Sequence, residues 1–417
     1  MTNHFRQFVP GPENPRIQAA AGRDHHSHGA YAMDVPKMRD LITNWRERYA
    51  EPFAGVTSDG VLQEGLYQLC SEGAPVSIMV AAAQAVLETA TSEEIGRLRY
   101  PIRADEWRIW SNPEWYAHPV GLRLEEIGAT LRDAILALLR ASLSARGYDK
   151  ARACMIMNAF LGEITGAPRI MNEYSYNFSM FGSPSTENPW GWQFFGHHLV
   201  LNCFVIADQM VLSPTFMGAE PNTIDVGPYA GLTLFQEEER LGLELMRSLA
   251  PAVRGMAQIY KRQNDPAMPD WRWHFADQQI QGGAFQDNRI IPYEGVSVRL
   301  FDAAQKRQLL EVVRPFIEYL PSGPLGSRLE EIERHIDETH FSWIGGFGDE
   351  DPFYYRVQSP VILVEFDHHA GVWLTNGEPA KCHTHTQVRT PNGNDYGKDL
   401  LQQHYRLTHP GCRPGAN

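Results

Sequence analysis

No stretch of this chain approaches the roughly 18 consecutive apolar residues that a membrane-spanning helix needs, so a bilayer is not an expected partner. Cysteine is scarce. The five present (Cys70, Cys154, Cys203, Cys382 and Cys412) are odd in number, widely spaced and free of any Cys-x-x-Cys pair. That argues against a disulfide framework or a zinc ribbon and for free thiols in a reducing compartment. Basic residues are the minority, 37 Lys and Arg against 50 Asp and Glu, for a formal net charge of −13. No basic patch interleaved with aromatics occurs, so nucleic acid is not an expected partner either, and the acidic balance favours solubility. The first ten residues, Met1 to Pro10, carry neither a basic n-region nor an apolar h-region, which leads us to expect a soluble, cytoplasmic protein. A dinucleotide-binding glycine fingerprint and a Gly-x-Ser-x-Gly elbow are both missing, which disfavours dinucleotide cofactors and serine hydrolysis. Low-complexity linkers and solenoid-period repeats are missing too, so the 417 residues read as one large domain rather than beads on a string.

What is present begins with a stretch, residues 1–33, rich in Pro, Gly, Asn and Ala and carrying Asp24-His25-His26-Ser27-His28. We expect a flexible N-terminal arm, its histidines either a loose metal tract or solvated decoration. Residues 34–417 then form a single α+β domain, with a helical part over 34–165 and a sheet-containing part over 166–417. Apolar spacing predicts helices over Val35–Ala50, Ser77–Leu98 (with a stop and fresh N-cap at Thr91-Ser92-Glu93-Glu94), Leu122–Ala145 and Lys150–Gly162. Strands follow over Met171–Phe181, Trp190–Asn202 and Val211–Glu220, then a helix over Gln236–Tyr260. Residues 263–299 read as irregular structure able to cover a site. Helices over Ala303–Tyr319 and Gly326–His340 lead into a β-hairpin, and a last helix over Lys398–Leu407 bears His404.

That hairpin carries the chemistry. Its first strand, Tyr354 to Asp367, has Pro360 at an edge, bulge or break; its second runs from Cys382 to about Arg389. Side chains alternate between the faces of a strand, so Glu365 and Asp367 share one face, as do His383, His385, Gln387 and Arg389. If odd positions pair with odd, for instance Glu365 with His385 and Asp367 with His383, two carboxylates meet two imidazoles; a one-residue slip would separate them. Cys382 has the opposite parity and faces away. Imidazole and carboxylate are the usual ligands of zinc, iron(II) and manganese(II), and they equally make metal-free acid/base pairs. The bland alternative is a solvated polar strand face. His197 and His198, adjacent on a predicted strand, point to opposite faces, so one at most enters the same site.

Four segments are recognisable: Glu106-Trp-Arg-Ile-Trp-Ser-Asn112; Trp190-Gly-Trp-Gln-Phe-Phe-Gly-His-His198; Phe353 to Pro360 running into Glu365-Phe-Asp367; and His383-Thr-His385 followed by Asn394-Asp395-Tyr-Gly to His404-Tyr405. Together they resemble an uncharacterised family catalogued as domain of unknown function 3500, over roughly residues 40 to 408. The resemblance implies no settled activity. It does imply that Gly196-His197-His198, the Glu-Phe-Asp strand, His-x-His, Asn-Asp-Tyr-Gly and the final His-Tyr belong together.

The expected fold is therefore α+β, a helical N-terminal part packed on an antiparallel sheet with further covering helices. The expected function is divalent-metal-dependent hydrolysis of a small organic substrate. His383 and His385 would bind the ion (zinc, iron or manganese) with Glu365, His197 or His198, and Asp395 or His404 would carry the proton. Arg356 or Arg389 would hold an anionic group, with Trp192 as a further substrate contact. Alternatives are a non-haem iron(II) oxygenase, a metal-free His/carboxylate lyase or isomerase, and a small-molecule binding protein without turnover. A homo-oligomer is compatible with all of them.

Overall fold

The computed structural model describes residues 5–408; Cys412 lies outside them. Helices come first: α1 (Pro15–Ala20), α2 (His25–Asp34), α3 (Pro36–Ala50), α4 (Val76–Thr89) and α5 (Ser92–Leu98). The stretch expected as an arm is thus helical over much of its length. Asp24 and Ser27 form a capping box at the start of α2, and His25 and His28 are buried against Glu126 and Glu114. Thr91 and Glu94 cap α5 reciprocally, dividing it from α4 where the sequence places a stop. Two short strands, β1 (Arg99–Tyr100) and β2 (Leu122–Arg123), precede α6 (Ala129–Ser142) and α7 (Ala145–Ile164). The helix expected from Leu122 starts only at Ala129 because Leu122 and Arg123 pair with Phe178 and Asn177, a tertiary contact that overrides local periodicity.

The sheet-rich part contributes β3 (Tyr176–Gly182), β4 (Trp190–Gly196), β5 (Leu199–Ile206) and β6 (Gln209–Ala219), then α8 (Gln236–Ser248), α9 (Pro251–Ala257) and β7 (Gln258–Tyr260). The single helix expected over 236–260 breaks at Pro251, which lacks an N–H and biases Ala250 out of the helical region. There follow β8 (Val296–Ser297), α10 (Ala303–Ile317), α11 (Ser322–Arg334), β9 (His340–Gly345), β10 (Phe353–Gln358), β11 (Leu363–His368), β12 (Thr384–Arg389) and α12 (Lys398–Thr408). The long strand expected over 354–367 is two strands, since Ser359 to Ile362 make a turn in which the Ser359 hydroxyl accepts from Val361 N and Ile362 N, each at 3.2 Å.

All twelve strands form one open, mostly antiparallel sheet of order β1-β3-β4-β5-β6-β12-β11-β10-β9-β7, with β2 beside β3 and β8 beside β9. The α+β expectation holds. The two faces of the sheet differ in kind. One carries Phe178, Trp192, Leu201, Met217, Val364, Phe366, Tyr355 and Trp343, which join buried residues of α4, α6, α7, α8 and α10 in the main core. The other is apolar only toward β3 to β6, where Phe181, Phe195, Val200 and Phe216 meet Ile42 and Trp45 of α3. Toward β12, β11 and β10 it presents His385, Gln387, Arg389, Glu365, Asp367, Tyr354 and Arg356, all fully buried. The irregular segment 263–292 lies over these polar residues: Gln263 bonds Asp367, and the backbone of Gln281 and Gly282 bonds Glu365.

Candidate metal centre

The register of the hairpin keeps odd with odd, but two residues away from the pairs offered as an example: Asp367 stands opposite His385 and Glu365 opposite Gln387. His383 precedes β12, its carbonyl accepting from His369 N at 2.8 Å. On the other side of β12, Gly218 of β6 faces His385 and donates its N–H to the carbonyl of His198 at 2.9 Å. His197 and His198 are not on a strand; they are the two-residue turn between β4 and β5, Gly196 pairing with Leu199. His198 has φ 62°, the left-handed region, which a tight hairpin turn demands and which costs a side-chain-bearing residue about 1–3 kcal/mol. Asn112 Oδ1 accepts its N–H at 3.2 Å and so helps to hold this conformation.

Three imidazoles therefore meet in the interior. His383 Nε2 lies 2.9 Å from His385 Nε2, which lies 3.2 Å from His198 Nε2; among the described residues these three form one of two groups whose ligand atoms all fall within 4.8 Å of one another. Room for them depends on Gly218. A Cβ there would stand 2.8 Å from His385 Cδ2 and 3.0 Å from His198 Cδ2.

The protonation states follow from partners and burial. The Ala370 carbonyl accepts from His383 Nδ1 at 2.9 Å and from His369 Nδ1 at 2.7 Å, which leaves the Nε2 of both rings as a lone pair. Burial, reinforced by the neighbouring imidazoles, pushes His383 and His369 down to about 3 and His198 and His385 well below the usual histidine range. All four are neutral at pH 7. With its Nδ1 proton on Ala370, His383 brings none to its Nε2, and His385 can donate to only one of its two neighbours. At least one of the two close Nε2 contacts then has no hydrogen bond directed along it, and His385 Nδ1 has no partner among the described residues. A hydrogen-bonded cluster does not account for this packing. Nitrogens around a tetrahedral zinc at ~2.0–2.1 Å stand about 3.3 Å apart, near the spacing of these atoms, so the three rings are a group that could hold a cation.

Outside the three rings, the Glu220 carboxylate lies 3.6 Å from His383 Nδ1 and accepts the backbone N–H groups of Val372 (2.8 Å), Leu374 (2.9 Å) and Trp373 (3.1 Å). Burial raises its pKa, against the pull of those donors. At 3.6 Å it makes no hydrogen bond to His383, whose Nδ1 proton is donated to Ala370 O. The ring of His369 is 4.4 Å from that of His385 and 4.6 Å from that of His383.

The remaining expected residues are placed elsewhere. His197 stacks on His198 with centroids 3.8 Å apart, but its Nδ1 bonds Asn158 at 2.8 Å. Glu365 is saturated by Tyr354 Oη, Gln281 N and Gly282 N at 2.6–2.8 Å. Asp395 bonds Arg389, Ser213 and Thr390 N, while Arg389 spends its remaining donors on Asp287 and the carbonyls of Gly282 and Gly283, so this pair ties the fold together. Arg356 bonds Glu294 and Pro292 O. Trp192 is on the apolar face, its Nε1 donating to Ser142. His404 sits half-buried on α12, its ring 5.9 Å from that of Tyr405, and is not one of the clustered imidazoles. Cys382 faces the main core, as its parity requires. The four described cysteines are free. Among the described residues no helix is long and apolar enough to cross a membrane.

Sequence reasoning missed His369, Glu220, Gly218 and Asn112. His369 continues the odd face of Glu365 and Asp367 one step past the end of β11, a signal that was available. Gly218 and Asn112 matter only through contacts between distant segments. Comparison with curated proteins and with solved structures finds no match for the chain. Residues 72–398 match a family model described as a protein of unknown function (DUF3500), and the chain belongs to that family.

Proposed function

We propose that His198, His383 and His385 bind one divalent cation through their Nε2 atoms and that the protein is a metal-dependent hydrolase of a small organic substrate. The observation that carries the reading is the convergence of three buried neutral imidazoles that hydrogen bonds among themselves cannot satisfy. Three imidazoles, with neither a thiolate nor a carboxylate among them, suit zinc better than manganese and leave room for a fourth ligand. A cation so held supplies Lewis acidity and lowers the pKa of a bound water toward neutrality. Around it, Ala370 O fixes the tautomer and orientation of His383, the Glu220 carboxylate lies 3.6 Å from that ring's Nδ1, and His369 offers an Nε2 lone pair nearby. The two-His-one-carboxylate oxygenase has less support, because the third member of the set is His198.

Elemental analysis of the purified protein tests this. About one equivalent of zinc per chain is expected, with loss of most of it in a His383→Ala/His385→Ala variant and in His198→Ala. Ester or amide hydrolysis should stop on exhaustive chelation and return with zinc. Iron together with oxygen uptake would select the oxygenase, and activity that survives chelation would select the metal-free lyase or isomerase.

A further inference from the structure

Beside the three imidazoles, the polar face of the sheet holds an unusual set of fully buried atoms with no partner among the described residues: Asp367 Oδ2, His385 Nδ1, Gln387 Oε1, His369 Nε2, Gln263 Oε1 and Gln281 Oε1. Buried polar atoms are satisfied in nine cases out of ten or more, so six in one patch call for a cause. They do belong to one patch. Asp367 is directly opposite His385 and Glu365 directly opposite Gln387; Gln263 bonds Asp367 at 2.9 Å; Gln281 N bonds Glu365 at 2.8 Å; and the His369 ring is 4.4 Å from that of His385. The amide orientations are fixed by the other end of each side chain. Gln387 Nε2 donates to Val388 O, Gln281 Nε2 to Arg272 O and Gln279 O, and Gln263 Nε2 to Asp367, so it is the oxygens that are left over.

We infer that this patch is the substrate-binding wall of the metal centre and that the substrate is a neutral polyhydroxylated compound, a sugar or polyol. This deepens the proposed function and rests on the same site. The wall offers acceptors (three amide oxygens and the His369 lone pair), donors (Arg272 Nη2, Arg356 Nη1 and, once His385 is bound through Nε2, its Nδ1), and a carboxyl on Asp367. Hydroxyl groups both donate and accept, so they match such a mixture, whereas ammonium groups only donate and carboxylates only accept. Charge points the same way. Each cation near the wall has a carboxylate partner, Arg389 in Asp287 and Asp395 and both Arg272 and Arg356 in the one Glu294, while Arg272 Nη2 and Arg356 Nη1 have no partner among the described residues. Of the arginines that suggest an anionic substrate in the sequence, Arg389 is used up by its partners and the charge of Arg356 is matched by Glu294, so the wall as a whole carries no unpaired positive charge.

The test is thermal unfolding and calorimetric titration of the full chain, with and without added zinc. The probes are neutral monosaccharides and linear polyols (glucose, galactose, sorbitol), with citrate and putrescine as charged comparators. At least one neutral probe should raise the unfolding temperature and titrate saturably, while the charged ones do neither. In Gln387→Leu the affinity for that probe should fall at least tenfold with zinc content unchanged. The unliganded variant should also unfold at an equal or higher temperature than the wild type, because an unsatisfied acceptor has been removed; a merely structural glutamine would give a lower one. Stabilisation by citrate or putrescine instead, or by none of the probes, overturns the assignment. Sugar binding by a protein that holds no zinc would sink the metal reading and leave this one standing.

Discussion

Gly218 and His385 face each other across two paired strands, and the absence of one Cβ decides whether two imidazoles can share the space between them. Gly218→Ala is therefore expected to act on the site before it acts on the fold. The added methyl group must displace His385 or His198, weakening zinc binding at least tenfold and costing about 1–3 kcal/mol of stability by overpacking. Competition with a chromogenic chelator and urea unfolding would measure the two, and unchanged zinc affinity would refute the packing argument. At this scale the sequence was legible wherever alternation alone decides: the shared face of His383 and His385, its union with the Glu365 and Asp367 face, and the opposite orientation of Cys382. It was not legible where the length and path of the connection 369–383 set the register, which puts Asp367 rather than Glu365 opposite His385. Nor did it show that Glu365, Arg356, Arg389 and Asp395 would be used up by partners on segments far away in the chain.

The turn between β4 and β5 was read as continuous strand because Gly196-His197-His198-Leu199 contains no Asn-Gly or Gly-Gly signal at its centre. The fold forces His198 to φ 62° where glycine would be the relaxed choice, and the strained residue is the one that joins His383 and His385 in the candidate metal centre. Strain kept at a site usually accompanies a use for the side chain. The element makes a paired prediction. His198→Ala and His198→Gly should both lose zinc, but the glycine variant should be more stable than the alanine variant by about 1 kcal/mol, since only alanine keeps the left-handed penalty. Equal stabilities in chemical denaturation would mean that the turn relaxes once the imidazole is gone. Helices with their own signals were read more accurately: α3 starts one residue after Val35, where its apolar spacing begins, and α5 at its Thr91/Glu94 box, whereas the start of α6 and the end of α8 shifted under strand pairing and a proline.

At the scale of the whole molecule, the organising fact is a sheet with one oily face and a second face that turns from apolar over β3 to β6 to polar yet buried over β12, β11 and β10. The first is ordinary hydrophobic burial and was legible as amphipathic helices and aromatic strands. The second needs a cover that brings polar partners, and the irregular segment 263–292 supplies them. Asp287 is the knot that fastens that cover. Its carboxylate accepts from Arg108 at 2.9 Å, Arg389 at 2.7 Å and Tyr396 Oη at 2.9 Å, and Arg108 in turn donates to the carbonyls of Arg48, Tyr49 and Glu51 at the C-terminal end of α3. One side chain thus joins the cover, an N-terminal helix and β12. Burial alone would raise the Asp287 carboxyl, but the two guanidinium groups outweigh it and hold the pKa below the usual carboxylate range. Asp287→Ala would leave Arg389 with Asp395 alone and Arg108 with no carboxylate, both buried, which should destabilise the protein by about 3–5 kcal/mol in urea unfolding. The sign of the pH dependence follows from the lowered folded pKa. This contribution is fully present above the unfolded value of 3.8 and disappears as pH falls through the folded one, so wild type and variant should converge in stability under strongly acidic conditions. A gap that persists unchanged to the acid limit would mean that Asp287 acts by shape and not by charge, and the cover would then have to be held down by something other than this network.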